Sequence, residues 1–174
     1  MLEEMKGRDL WEEILKLRDE QREHQKKAVW LIKGKDLPWE SNKQGIMRWY
    51  MHPLLKTLCI NTMKLFVQEI PPGSRSGRLH HPGNQVMYVL EGRGYTVLDG
   101  QKHHWAKNDV VQLPLRVKGV TVQHFNSDPD QPARVGCAER MLADLERTAR
   151  LTGRSFRRRA RPRAAKKKRG SAST

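Results

Sequence analysis

Cysteine is nearly missing from this chain. Cys59 and Cys137 are too few for a disulfide scaffold or a structural zinc module. No apolar run approaches the ~20 residues that a bilayer-spanning helix needs, so a helical membrane protein is excluded. The opening Met1-Leu2-Glu3-Glu4 lacks the basic-then-apolar order of a secretory signal, and a cytoplasmic location is expected. The sequence offers no Ser/His/Asp order, no phosphate-cradling glycine loop, no paired-carboxylate signal and no internal repeat. Acidic residues are absent from Arg147 onward, where 12 basic residues fall. The part before it, Met1–Glu146, holds 22 basic against 19 acidic residues. The formal charge of +15 therefore belongs mostly to the tail and says little about the body. A chain of 174 residues has room for one domain with appendages.

Four segments are expected. Residues 1–45 form a helix and an arm. The helix runs from about Asp9 to Lys27, with Asp9 as cap, Glu12 three positions later, and Leu10, Trp11, Ile14 and Leu17 on one apolar face. That face is expected to pack on the body, and Pro38 blocks any continuation. Residues 46–139 carry short runs rich in Val, Phe, Tyr and Thr. They are Met47–Met51, Thr62–Glu69, Val86–Leu90, Tyr95–Leu98, Asp109–Leu113, Gly119–Phe125 and Ala133–Cys137. Turn residues separate them, among them Glu91-Gly92 and Asp99-Gly100, and both pairs are read as hairpin turns. This spacing predicts an all-β sandwich or barrel. Ala138–Leu151 reads as helical again, giving a C-terminal helix over 140–152, and 153–174 is a basic tail too polar to fold.

Within the β region, the stretch from Gly73 to Gly92 is similar to the first cupin motif, G(x)5HxH(x)3,4E(x)6G. Gly73, the spacer 82–84 and Gly92 fall in register. The second motif, G(x)5PxG(x)2H(x)3N, is matched by Pro114, Gly119 and Asn126, with three extra residues between Pro and Gly. The region resembles small single-domain cupins related to gentisate- and salicylate-type ring-cleaving dioxygenases. That resemblance implies a double-stranded β-helix, or jelly-roll barrel, and a homodimer. It also implies a divalent metal, most often Fe(II), held by three His and sometimes one Glu.

In this chain the metal positions read Leu79, His81, Gln85 and Val122. Leu and Val have no lone pair to donate, so the family's site cannot form in its usual way. Alternation along a strand puts residues 79 and 81 on one face and His80 on the other. By the same rule His124 shares a face with Val122. The expected interior is therefore His81, Gln85 and His124, lined by Leu79, Val122 and Tyr88. Trp49, Tyr50, Met63, Phe66 and Met87 are candidates for an apolar wall, and Arg78 at the mouth can pair with a ligand carboxylate.

Three uses follow. The first is a cupin of altered chemistry binding a small carboxylate, aromatic ones included, with no metal or a weakly held one. The second is an Fe(II) ring-cleaving oxygenase using a displaced set, His81 and His124 with Gln85, or with His80 if a bulge turns the chain near Pro82. The third gives the tail the leading role. Arg157, Arg158, Arg159, Lys166, Lys167, Lys168 and Arg169 can hold nucleic acid through its phosphates, or an acidic surface, without base stacking.

Overall fold

The computed structural model describes residues 2–60, 62–140 and 150–151. Eleven strands lie in two antiparallel sheets among them. The first sheet has the order β1 (Glu40–Ser41), β2 (Ile46–Met51), β3 (Met63–Ile70), β10 (Ala133–Arg140), β5 (Gln85–Glu91) and β8 (Val110–Leu113). The second has the order β11 (Arg150–Leu151), β4 (Leu79–His81), β9 (Val120–Asn126), β6 (Arg93–Leu98) and β7 (Gln101–Ala106). The expected all-β jelly-roll is the observed fold.

Alternation builds the core. In β5, Gln85, Met87 and Val89 are buried while Val86, Tyr88 and Leu90 face outward. Their partners inside are Met47, Phe66, Ile70, Trp105, Ala133, Val135 and Cys137. Burying each large aliphatic side chain contributes about 1.5–3 kcal/mol. Asp99 and Gly100 join β6 to β7 with both φ angles positive, 48° and 87°, as a tight hairpin turn demands. Glu91-Gly92 is not a hairpin. β5 and β6 belong to different sheets, so Gly92 is a corner, and a Cβ there would sit 2.8 Å from the Ala133 Cα. Asn126, the last residue of the second motif, ties together two loops. Its Nδ2 donates to the carbonyls of Ile70 (3.0 Å), Pro71 (3.2 Å) and Gln131 (2.8 Å).

Helix α1 (Leu10–Lys27) starts where the sequence predicts, with the Asp9 carboxylate accepting from the Glu12 N–H at 3.0 Å. It does not pack as expected. No residue of α1 is buried, and Trp11 remains 67% exposed. The helix touches the body near its end, where His24 meets the Lys56 carbonyl and Gln25 donates to the Cys59 carbonyl. The C-terminal helix also needs correction. Ala138–Arg140 continue β10, and Arg150–Leu151 pair with β4. The rest of that expected helix, and the basic tail from 153 onward, lie outside the described residues.

Candidate functional site

The inner faces of three strands converge on one region. β4 supplies Leu79 and His81, β5 supplies Gln85, and β9 supplies Val122 and His124. His81, Gln85 and His124 are 5%, 6% and 6% exposed, and Val122 is buried with them. Leu79 and Val122 are directly opposed across the β4–β9 pair. The expected interior set is thus assembled by the fold, with one exception. Tyr88 has the parity opposite to Gln85 and is 41% exposed, where its hydroxyl donates to Asn108 Oδ1 at 3.0 Å. His80 faces away from His81 and meets Thr121 Oγ1 at 3.0 Å. No bulge brings it inside.

His124 is held from three sides. Its N–H donates to Ser76 Oγ (2.9 Å), its carbonyl accepts from the Ser76 N–H (2.9 Å), and its Nδ1 lies 2.8 Å from Thr96 Oγ1. Trp105 Nε1, which can only donate, reaches the same Thr96 oxygen at 3.0 Å. Because the Thr96 hydroxyl has no other acceptor among the described residues, its hydrogen goes to Nδ1, which assigns the proton of neutral His124 to Nε2. His81 differs, because its Nε2 is buried with no hydrogen-bond partner among the described residues. Burial lowers both imidazoles to about 4, aided at His81 by the Lys64 and His80 charges and at His124 by His81. Both rings are therefore neutral at pH 7. Burial, with Glu139 nearby, pushes the Cys137 thiol up, so it is no nucleophile.

Two inward residues escaped the sequence reading. Lys64 shares the inner face of β3 with Phe66 and Gln68, and Glu139 shares the inner face of β10 with Val135 and Cys137. Glu139 is the register partner of both Lys64 and Gln85, and it forms an ion pair with Lys64. Parity counted from Phe66 and Cys137 could have found both. The expected helix start at Ala138 hid Glu139.

A cavity lies among Phe66, Gln68, Ser76, Gln85, Val122 and His124. It gives about 20 Å³ to water centres, room for one water. The turn 42–45 closes it, with the Gln44 carbonyl accepting from the Gly77 N–H (2.7 Å) and Gln68 Nε2 (2.9 Å). Of the expected apolar wall, only Phe66 lines this cavity. Met87 is core, Trp49 packs on Phe66 with ring centroids 5.0 Å apart, and Met63 is exposed. Arg78 is exposed and does not line it either. Cys59 is half-buried.

Residues 66–137 match the family described as the cupin domain. The barrel has the cupin fold. A comparison with curated proteins finds no match. Among solved structures, the chain is similar to the polyketide cyclase RemF from Streptomyces resistomycificus. The identity is 17%, the TM-score 0.54, and 64% of this chain and 79% of that one are covered. A Cupin 2 conserved barrel domain protein from Salinispora arenicola gives 21% identity and a TM-score of 0.50, over 68% and 92% of the two chains. A vicilin from Solanum melongena, whose structure holds anionic ligands in structurally similar pockets, gives 19% identity and a TM-score of 0.51, over 66% and 31%. Likeness at this identity concerns the fold.

The metal that cupin barrels often carry can be tested against the donors this barrel presents. Two of the four positions, Leu79 and Val122, are hydrocarbon and a third, Gln85, is an amide, which leaves His81 as the one imidazole among them. Among the described residues no three His, Cys, Asp or Glu side chains come together in a group able to hold an ion. The residues present do not fit the metal.

Proposed function

We propose that this cupin binds a small hydrogen-bonding acid inside its barrel and does not carry out metal-dependent ring cleavage. One observation carries the reading: His81 Nε2 is buried and has no hydrogen-bond partner among the described residues, with Lys64 and neutral His124 within electrostatic reach. An orphan of this kind costs about 1–3 kcal/mol unless something meets it. His81 can donate to a ligand oxygen or accept from a ligand hydroxyl. Lys64 lies within electrostatic reach of His81 and is already paired with Glu139, so a ligand carboxylate competes with Glu139 for the Lys64 ammonium. The anionic ligands of the Solanum melongena vicilin accord with such an occupant. A ring-sized acid enters only after the turn 42–45 swings off Gly77, breaking the two hydrogen bonds to the Gln44 carbonyl.

Calorimetric titration with oxalate, benzoate and salicylate, beside Fe(II), Mn(II), Ni(II) and Zn(II), tests the reading. We expect saturable binding of at least one acid, weakened at least tenfold by His81→Phe, and no stoichiometric metal. Tight stoichiometric metal that is lost in His124→Ala would replace this reading with the oxygenase one.

A further inference from the structure

One rung of the first sheet turns a charged pair toward the barrel interior. Across β3, β10, β5 and β8 it reads Lys64, Glu139, Gln85 and Leu113, each the register partner of the next. Parity with Phe66, Cys137 and Met87 puts the first three on the inner face. The side chains of Lys64 and Glu139 are 20% and 13% exposed and form an ion pair, and Gln85 beside them is buried. Lys64 is the one ammonium or guanidinium among the described residues whose charge reaches His81 on the other sheet. His124 is neutral at pH 7 and the Cys137 thiol keeps its proton. The Glu139 carboxylate thus gives Lys64 the contact that a small acid in the barrel would give it.

We infer that Lys64 is the carboxylate-binding residue of the barrel and Glu139 its internal competitor, so that the site selects small monocarboxylates over dianions and neutral analogues. This rests on the acid-binding reading above and names the residues that set its specificity. A ligand carboxylate that takes the Lys64 ammonium makes a charge-assisted hydrogen bond, which a neutral amide cannot match against Glu139. The displaced Glu139 keeps a partner. Gln85 stands opposite it in the register, close enough across the strands for its amide to donate to the freed carboxylate. A glutamate at position 85 would instead set two carboxylates face to face. The second carboxylate of a dianion finds no further cation here among the described residues, only neutral imidazole, amide and thiol. Burying a charge without a partner is costly, so the dianion is refused.

The test is calorimetric titration of the full chain at pH 7 with the monoanions benzoate and salicylate, the dianion oxalate and neutral benzamide. Glu139→Gln keeps the Lys64 charge and removes its competitor. Lys64→Met with Glu139→Gln removes both charges and strands neither. The tighter monoanion should bind the native chain about tenfold or more better than oxalate or benzamide. Glu139→Gln should tighten that monoanion about fivefold or more and leave benzamide within about twofold. The double variant should hold benzoate no better than benzamide; if it does not fold, the Glu139→Gln result decides alone. A monoanion that binds the native chain with no gain in Glu139→Gln, or oxalate that binds best, overturns the inference and leaves the acid-binding reading standing. No acid bound by either the native chain or Glu139→Gln overturns both. A monoanion bound by Glu139→Gln alone upholds the inference, because the internal carboxylate then holds the site against it.

Discussion

Thr96 Oγ1 stands 2.8 Å from His124 Nδ1 and 3.0 Å from Trp105 Nε1, and all three side chains are buried. One hydroxyl therefore joins an indole to an imidazole across β7, β6 and β9. Thr96→Val keeps the shape and deletes both hydrogen bonds, leaving two buried polar atoms without partners. The expected loss is about 2–4 kcal/mol, read from the urea midpoint, whereas Thr96→Ser should lose under about 1.5 kcal/mol. Equal losses for Val and Ser would mean that packing of the methyl group, not the hydroxyl, holds His124.

The neutral histidines set a pH dependence. Both have folded values of about 4 against an ordinary 6.5, so the unfolded chain takes up protons first. Stability is full above pH 6.5 and falls as pH drops toward 4. Each imidazole should cost about 2 kcal/mol between pH 7 and pH 5. Urea midpoints at the two pH values measure this, and His124→Gln should remove roughly half of the difference. A flat profile would show that neither ring is buried in solution.

Leu79 and Val122 oppose one another next to His81 and His124. Replacing both, Leu79→His with Val122→His, adds two imidazoles to the two already facing inward. Affinity for Ni(II) or Zn(II), followed by calorimetry, should rise by at least 100-fold over the native chain. No gain would place the register one residue out, because a one-residue slip sends every side chain to the opposite face.

The apolar face of α1 should be nearly silent in stability. Leu10, Trp11, Ile14 and Leu17 are all exposed, so Trp11→Gln with Ile14→Gln should shift the unfolding free energy by no more than about 0.5 kcal/mol. A loss above 2 kcal/mol would mean that something covers this face in solution.

The barrel is legible because its signals are local. Alternation in Val86–Leu90 and the Asp99-Gly100 turn each report on a few residues, and the structure agrees with them. The same period of two puts His81, Gln85 and His124 inside, where they are found. Tyr88 departs from the expected interior although that rule, counted from Gln85, sends it outward; its aromatic character is a weaker guide than its parity. Lys64 and Glu139 are hidden for a different reason. Each reads alone as a solvated charge, and only the β3–β10 register makes them partners. The expected packing of α1 fails because an amphipathic pattern specifies that a face can be covered, not by what.

The opposition of Leu79 and Val122 also constrains how such a barrel can change. A histidine restored at position 79 alone would press its ring against the methyl groups of Val122, and one restored at 122 alone would meet the isobutyl group of Leu79. Either single replacement sets a polar ring against hydrocarbon on the facing strand, so exchange between hydrocarbon and imidazole at these two places costs least when both change together.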